Sequence, residues 1–169
     1  KQNLPVGIIR TRTIYSPFAR FDDDKSHVIP GLIKRALKKE NPFIVWGNGF
    51  TVRDFVYVDD LVKAIVLVLE GYCNAIPINF SNGTAVNIKT LVEIVLNKCD
   101  HSTPAIYDET KPNAAPYRVL DNTKFDTVLG RVERTDLKVG IKKTVDWYLN
   151  NSNLYTDMQN EISKSTPWK

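Results

Sequence analysis

Phe43-Ile44-Val45-Trp46-Gly47-Asn48-Gly49-Phe50-Thr51-Val52-Arg53-Asp54-Phe55-Val56-Tyr57-Val58-Asp59-Asp60-Leu61 is the stretch that decides the fold. Phe43 to Trp46 is a short apolar run of strand type, Gly47-Asn48-Gly49 is a turn, and Arg53 to Val58 is a second extended segment. Asp59 and Asp60 suit the start of a helix. The residues that follow, as far as Glu70, are apolar almost all round, which predicts a buried helix. The glycine turn delivers Arg53 onto the extended segment, where its planar guanidinium can fork onto phosphate oxygens. A plain hairpin with a surface arginine gives the same pattern. The motif is not a dinucleotide fingerprint, because no third glycine follows and no helix starts there.

Working outward, Val6-Gly7-Ile8-Ile9-Arg10 reads as a buried strand and Ser16 to Ser26 as a polar loop with the acidic cluster Asp22-Asp23-Asp24. Ser26 is placed to cap a helix from His27 to Glu40. Val28, Ile29, Leu32, Ile33, Ala36 and Leu37 recur there at helical spacing, and Lys34, Arg35, Lys38 and Lys39 fall opposite. Ile76 to Phe80 is a strand in which Pro77 belongs at the start or on an edge. Asn87 opens an amphipathic helix to about Cys99. A proline-broken stretch, Pro104 to Pro116, precedes a short helix near Thr123 to Leu129 that Gly130 ends. The last helix runs from Asp136 to about Asn150. Interleaved strands and helices make the class α/β. Residues 1–150 form the folded portion, and 151–169 a polar tail that frays.

The chain has 169 residues, 43% hydrophobic and 25% charged, enough apolar material for a real core and against a disordered segment. No window approaches the roughly 18 apolar residues of a membrane span, and Lys1-Gln2-Asn3 begins no export signal, so a cytoplasmic protein is expected. Lys and Arg number 23 against 19 Asp and Glu, a net charge of +4 that suits an anionic small molecule. A nucleic-acid-binding domain would have to use the Lys34–Lys39 face, which is more simply a solvated one. Cys73 and Cys99, with only His27 and His101 beside them, make no zinc set and are expected as reduced thiols, a disulfide remaining open. No metal is called.

Two further segments carry chemistry. Arg10-Thr11-Arg12-Thr13-Ile14-Tyr15-Ser16-Pro17 is a strand end running into a loop, the place where open α/β sheets bind ligands. Lys111-Pro112-Asn113 and Pro116-Tyr117-Arg118-Val119-Leu120-Asp121 put a second arginine and an aromatic on a loop.

In this order and at these spacings, the three segments resemble the extended short-chain dehydrogenase/reductase family, the NAD-dependent nucleotide-sugar epimerases, dehydratases and reductases. The family pattern Arg-x-x-Asn-x-Tyr-Gly-Pro stands here as Arg10 to Pro17, with Thr13 in place of Asn and Ser16 in place of Gly. Ser26-His27-Val28-Ile29-Pro30-Gly31-Leu32-Ile33 is similar to the substrate-domain helix of the GDP-fucose synthase branch, and Lys111 to Asp121 to that branch's later substrate loop. The resemblance implies a Rossmann-type fold of which this chain is the C-terminal, substrate-binding part, lacking the cofactor-binding half. It implies a GDP- or UDP-sugar as ligand, held by Arg53, Thr13, Ser26, His27, Val28, Trp46, Gly47, Lys111 and Arg118, and NAD or NADP in the parent enzyme. The family's catalytic Tyr-x-x-x-Lys pair is expected outside this chain. The one matching string, Tyr107-Asp108-Glu109-Thr110-Lys111, runs into Pro112 and belongs to a strand end or loop. The chain alone is expected to bind no cofactor and to turn nothing over. Its first strand, stripped of neighbours, points to a homodimer or other self-association. A non-catalytic nucleotide-sugar-binding module is the alternative.

Overall fold

A computed structural model of the protein describes residues 4–21, 26–111 and 115–165, with side chains described to residue 152. The acidic cluster, Pro112 and Asn113 lie outside the described residues. The two strands expected in a central sheet pair with each other: β1 (Ile8–Thr11) lies parallel to β6 (Pro77–Phe80), with Ile9 opposite Ile78. Pro77 is the first residue of its strand, where a missing N–H disturbs no ladder.

The Arg10–Pro17 segment does not relax into a loop. After a one-residue break at Arg12 it forms β2 (Thr13–Tyr15), parallel to β5 (Phe55–Tyr57) in a separate small sheet. The hairpin reading of the 43–58 stretch also fails. Strand β3 (Phe43–Trp46) pairs in parallel with β8 (Ala105–Asp108), a strand hidden inside the proline-broken stretch. Strand β4 (Val52–Arg53) pairs antiparallel to β7 (Val86–Asn87) and parallel to β9 (Tyr117–Arg118). The loop expected at Tyr117-Arg118 is therefore a short strand. Gly49 makes the turn out of β3 possible. Its φ is +77°, and a Cβ there would sit 2.7 Å from the Tyr107 ring.

Five helices pack on these strands: α1 (Val28–Leu37), α2 (Val58–Gly71), α3 (Ile88–Lys98), α4 (Thr123–Leu129) and α5 (Leu137–Ser165). Asn87 caps α3 as its position suggests, its side chain accepting the Thr90 N–H at 2.7 Å. The other two expected caps are corrected. His27, not Ser26, is the N-cap of α1, with no side-chain bond. Tyr57 is the N-cap of α2, and Asp60 instead accepts the N–H of Thr135 (2.6 Å) and its hydroxyl (3.0 Å) from far along the chain. The first stretch of α5 ends about Asn150 as its pattern suggests, at Asn151 with non-helical angles, and the backbone beyond it, expected as a fraying tail, is helical again to Ser165.

Two apolar cores result. Phe21, Ile33, Phe43, Leu91, Val95 and Ile141 fill the first, between α1, α3, α5 and β3; Ile78, Phe80, Phe125, Val68 and Ala64 fill the second, under α2, α4 and β6. Each large side chain so buried is worth about 1.5–3 kcal/mol. Strand β5 serves both, because alternate residues face opposite sides: Phe55 and Tyr57 enter the first core and Val56 the second. Helix α2 is not buried all round as its composition suggests. Ala64 and Val68 meet the second core, while Val62, Ile65, Val66 and Leu69 are exposed. Among the described residues no helix is long and apolar enough to cross a membrane.

Candidate functional site

Six of the nine residues expected to hold ligand line one cavity of about 470 Å³: Thr13, Ser26, His27, Val28, Trp46 and Arg53. They come from five places in the chain: β2, the residues leading into α1, the first turn of that helix, the end of β3, and β4. Local structure explains the convergence. Val28 and Leu32 are one helical turn apart on α1, and Arg35 follows on the same face, so these three reach the cavity together. Strand β5 brings Phe55 to the wall, two residues after Arg53 and therefore on the same side.

Arg35, Phe55 and Ile88 are lining residues that the sequence reading passed over, and Leu32 is one it held within the Ser26–Ile33 segment without assigning it to ligand. The helical spacing 28, 32, 35 carried a signal for Leu32 and Arg35. Phe55 and Ile88 had none, because their places depend on strands pairing far apart in sequence.

Three expected residues stand outside the lining. Gly47 forms the turn beside Trp46, with φ +81° and its N–H donated to the Asp108 carbonyl at 2.9 Å. Lys111 places its Nζ 5.8 Å from the centre of the Trp46 ring, whose face is largely exposed. Arg118 lies directly opposite Arg53 in the parallel register of β4 and β9.

That pairing sets the electrostatics. Like charges directly opposite on neighbouring strands repel. Arg53 donates from Nη1 to the carbonyls of Val52 (2.6 Å) and Ala115 (2.8 Å), and no carboxylate among the described residues is bonded to it. Burial first, then the fields of Arg118 and Arg12, push the Arg53 guanidinium below its ordinary value. Arg35 is different. It donates to both oxygens of Glu40 (2.8 and 2.6 Å) and to the Ile44 carbonyl, and lies over the Phe43 ring. Its charge is already matched. Lys39, from the same helix end, donates to the carbonyls of Cys99 and Asp100, and Lys34 and Lys38 are engaged as well. The basic face once weighed for nucleic acid is thus partly committed within the fold.

A larger cavity of about 650 Å³ lies between the 82–86 segment and residues 131–137. Of its two lining arginines, Arg131 and Arg134, the second is committed within the fold: Arg134 donates to the carbonyls of Ser81 and Val132 and to Asp126. Both cysteines are free thiols, and burial pushes Cys99 up to about 12. No group of three or more metal-ligating side chains occurs among the described residues. Tyr107 lies in β8 and Thr110 in the turn after it, so the Tyr-x-x-x-Lys string is not helical.

The model of the NAD dependent epimerase/dehydratase family matches residues 1–83. Similar curated proteins include a probable GDP-L-fucose synthase 1 of Oryza sativa subsp. japonica, 32% identical over 142 residues, covering 82% of this chain and 43% of that protein. The GDP-L-fucose synthase of Escherichia coli K12 is 30% identical, covering 84% and 48%. A putative UDP-glucose 4-epimerase of Methanocaldococcus jannaschii is 35% identical, covering 88% and 47%. Among solved structures, a GDP-L-fucose synthetase from Naegleria fowleri superposes with a TM-score of 0.80 at 22% identity, covering 86% of this chain and 46% of that one. A UDP-glucose 4-epimerase from Thermotoga maritima, solved with UDP-glucose, gives 0.74 at 28%, covering 85% and 46%. The chain spans about half the length of the curated relatives it matches. The parallel β-strands with packed helices and these likenesses agree: the chain is similar over most of its length to proteins of the NAD dependent epimerase/dehydratase family, whose model matches residues 1–83.

Proposed function

We propose that the cavity between α1, β3 and β4 holds the diphosphate and sugar of a GDP- or UDP-sugar, as the substrate-binding part of a sugar-nucleotide epimerase, dehydratase or reductase. The observation that carries this reading is Arg53: a guanidinium on the cavity wall, opposite Arg118 and bonded to no carboxylate among the described residues. Such an arrangement is complete only when an anion arrives, and a diphosphate offers the oxygens that a guanidinium fork fits. Thr13, Ser26 and His27 supply hydrogen-bonding groups for sugar hydroxyls, while Val28, Leu32 and Ile88 give the apolar wall. The exposed face of Trp46, with Lys111 above it, is a shelf for a planar base or sugar ring.

The family's chemistry runs through NAD or NADP, which supplies a hydride acceptor. The residues of this chain do not fit the cofactor's pyrophosphate. That group needs a glycine-rich turn from strand into helix, and none of the eight glycines clusters at such a junction; Tyr57-Val58, where β5 meets α2, has none. The role read here is to grip and orient the sugar nucleotide, with base and cofactor supplied by the remaining length of a parent enzyme. Thr13 stands where the family's asparagine contacts the sugar, a shorter hydroxyl in place of an amide.

Calorimetric titration with UDP-glucose and GDP-L-fucose tests this. Weak binding of at least one, lost in Arg53→Ala and only partly recovered in Arg53→Lys, is the expected result. Equal affinity for wild type and Arg53→Ala overturns the assignment, and micromolar NAD binding overturns the reading of a substrate-binding part alone.

A further inference from the structure

We propose that Gly140 and Tyr15 are a positioning pair for the sugar end of the cavity: the bare backbone of α5 at Gly140 seats the Tyr15 ring, and that seat fixes where β2 holds Thr13 against a ligand. The inference rests on the nucleotide-sugar reading of the cavity and adds to it a contact, outside the cavity, that sets the place of one wall. Strand β2 is three residues long and its side chains alternate: Thr13 lines the cavity, Ile14 is exposed and Tyr15 is buried. Thr13 and Tyr15 therefore share a face. Strand β5 matches them in register, with Thr13 opposite Phe55 and Tyr15 opposite Tyr57. The front pair, Thr13 and Phe55, borders the cavity, while the two tyrosines behind it meet edge to face with ring centres 5.5 Å apart.

Helix α5 touches both ends of this small sheet. Leu137 shares the wall of the larger cavity with Phe55, and one turn further on Gly140 faces Tyr15. A Cβ at Gly140 would overlap the Tyr15 hydroxyl and stand 2.9 and 3.0 Å from Cζ and Cε2 of the ring. The helix sits this deep only because residue 140 has no side chain. It is held there, since Ile141 and Val145 are buried in the first core and Lys143 lies over the Tyr57 ring. A methyl group at position 140 must then push the ring, because a close-packed interior has no slack to absorb it. The Tyr15 hydroxyl makes no hydrogen bond, so what it supplies at this contact is length. Among the described residues β2 pairs with β5 alone, and a shift at Tyr15 passes to Thr13 two residues away, roughly 6–7 Å along the strand. Arg53 is held apart from this movement by the pairing of β4 with β7 and β9.

The test is calorimetry with UDP and UDP-glucose, and with GDP and GDP-L-fucose, because only the second of each pair carries a sugar. Gly140→Ala should lower nucleotide-sugar affinity about fivefold and leave the free nucleotide within about twofold, a coupling of the size found between touching residues. Tyr15→Phe/Gly140→Ala should regain most of the loss, since the phenyl ring leaves room for the methyl. Val145→Ala, a core change on the same helix, should lower the denaturation midpoint and leave the sugar-to-nucleotide ratio unchanged. A ratio unchanged in Gly140→Ala, nucleotide and nucleotide sugar weakened equally, no recovery in the double variant, or a ratio lowered equally by Val145→Ala each overturns the proposal. Should Gly140→Ala fail to fold, Tyr15→Leu, which withdraws the ring without adding an atom to α5, must show the lowered ratio, and an unchanged one overturns the proposal. If Arg53→Ala weakens binding while Gly140→Ala leaves the ratio alone, the nucleotide-sugar reading survives and the positioning pair falls. The ligand-free protein separates the converse. If no nucleotide sugar binds wild type, yet the Thr13 and Phe55 amide resonances move in Gly140→Ala and return in the double variant, the pair stands and the nucleotide-sugar reading falls.

Discussion

The larger cavity is lined by Arg131 and Arg134 and the smaller by Arg35 and Arg53, and within these pairs Arg134 and Arg53 are held in opposite ways. Arg134 beside the larger cavity has its acceptors inside the protein: two carbonyls, the Asp126 carboxylate at 2.7 Å, and the Phe80 ring below it. Arg53 beside the smaller one has carbonyls on one nitrogen and a second arginine opposite. Cavity volume alone would favour the first. The difference teaches that a binding site is recognised by what its polar groups still lack, not by the room around them.

The comparison breaks if the two arginines behave alike on mutation. Arg134→Ala should destabilise the fold by about 3 kcal/mol, since it strands a carboxylate and two carbonyls in a half-buried position, and should leave ligand affinity unchanged; chemical denaturation and calorimetry read the two effects separately. Arg53→Ala should do the reverse, costing roughly 1.5–3 kcal/mol of nucleotide-sugar affinity with little change in the denaturation midpoint. If both variants lose stability and affinity in parallel, the division of roles is wrong.

A third, smaller effect concerns groups buried without charge. Burial holds the Tyr15 phenol protonated well above its ordinary range, helped by Asp60, and its hydroxyl is buried with no hydrogen-bond partner. The folded state therefore keeps a proton that the unfolded chain releases near pH 10. Stability should be flat with respect to this group below about pH 10 and fall above it. Cys99, pushed up to about 12 by burial, adds to the same decline from its lower ordinary value. Tyr15→Phe should remove part of the alkaline decline and cost little at pH 7, because no hydrogen bond is lost. A Tyr15→Phe protein with the same alkaline slope as wild type would place the cause elsewhere. The smallest expected effect is on the helix face of Lys34 and Lys38: doubling their loss in Lys34→Ala/Lys38→Ala should change nucleic-acid retention in a gel shift not at all. A salt-sensitive shift in wild type that the double variant abolishes would restore the nucleic-acid reading.

Where the chain's local chemistry decides an element, the sequence was readable. Asn87 capping α3, Gly130 ending α4 and Pro77 at the first position of β6 each act within a few residues. What depends on distant pairing was not. Strand β8 sits between prolines and reads as loop, because only β3, some sixty residues earlier, gives Ala105 to Asp108 a partner. Helix α2 shows an apolar residue on nearly every side, and nothing in its own composition says which face meets β1 and β6. The cavity was legible to the extent that its residues sit in motifs; Phe55 entered it through the register of β5 with β2, and Ile88, first in α3, through the pairing of β7 with β4 just before it.

Strand β5 carries a last consequence. Phe55 lines both cavities, and its neighbours Val56 and Tyr57 point into different cores. A single inserted or deleted residue between Arg53 and Tyr57 would therefore exchange the two sets of side chains at once, emptying each core of the residues it is shaped for. Length changes in the turn after β8, by contrast, disturb no alternating strand. Sequence libraries built on this chain should tolerate insertions around Glu109 and Thr110 and purge nearly every one between Arg53 and Tyr57, a pattern set by strand geometry before any ligand is bound.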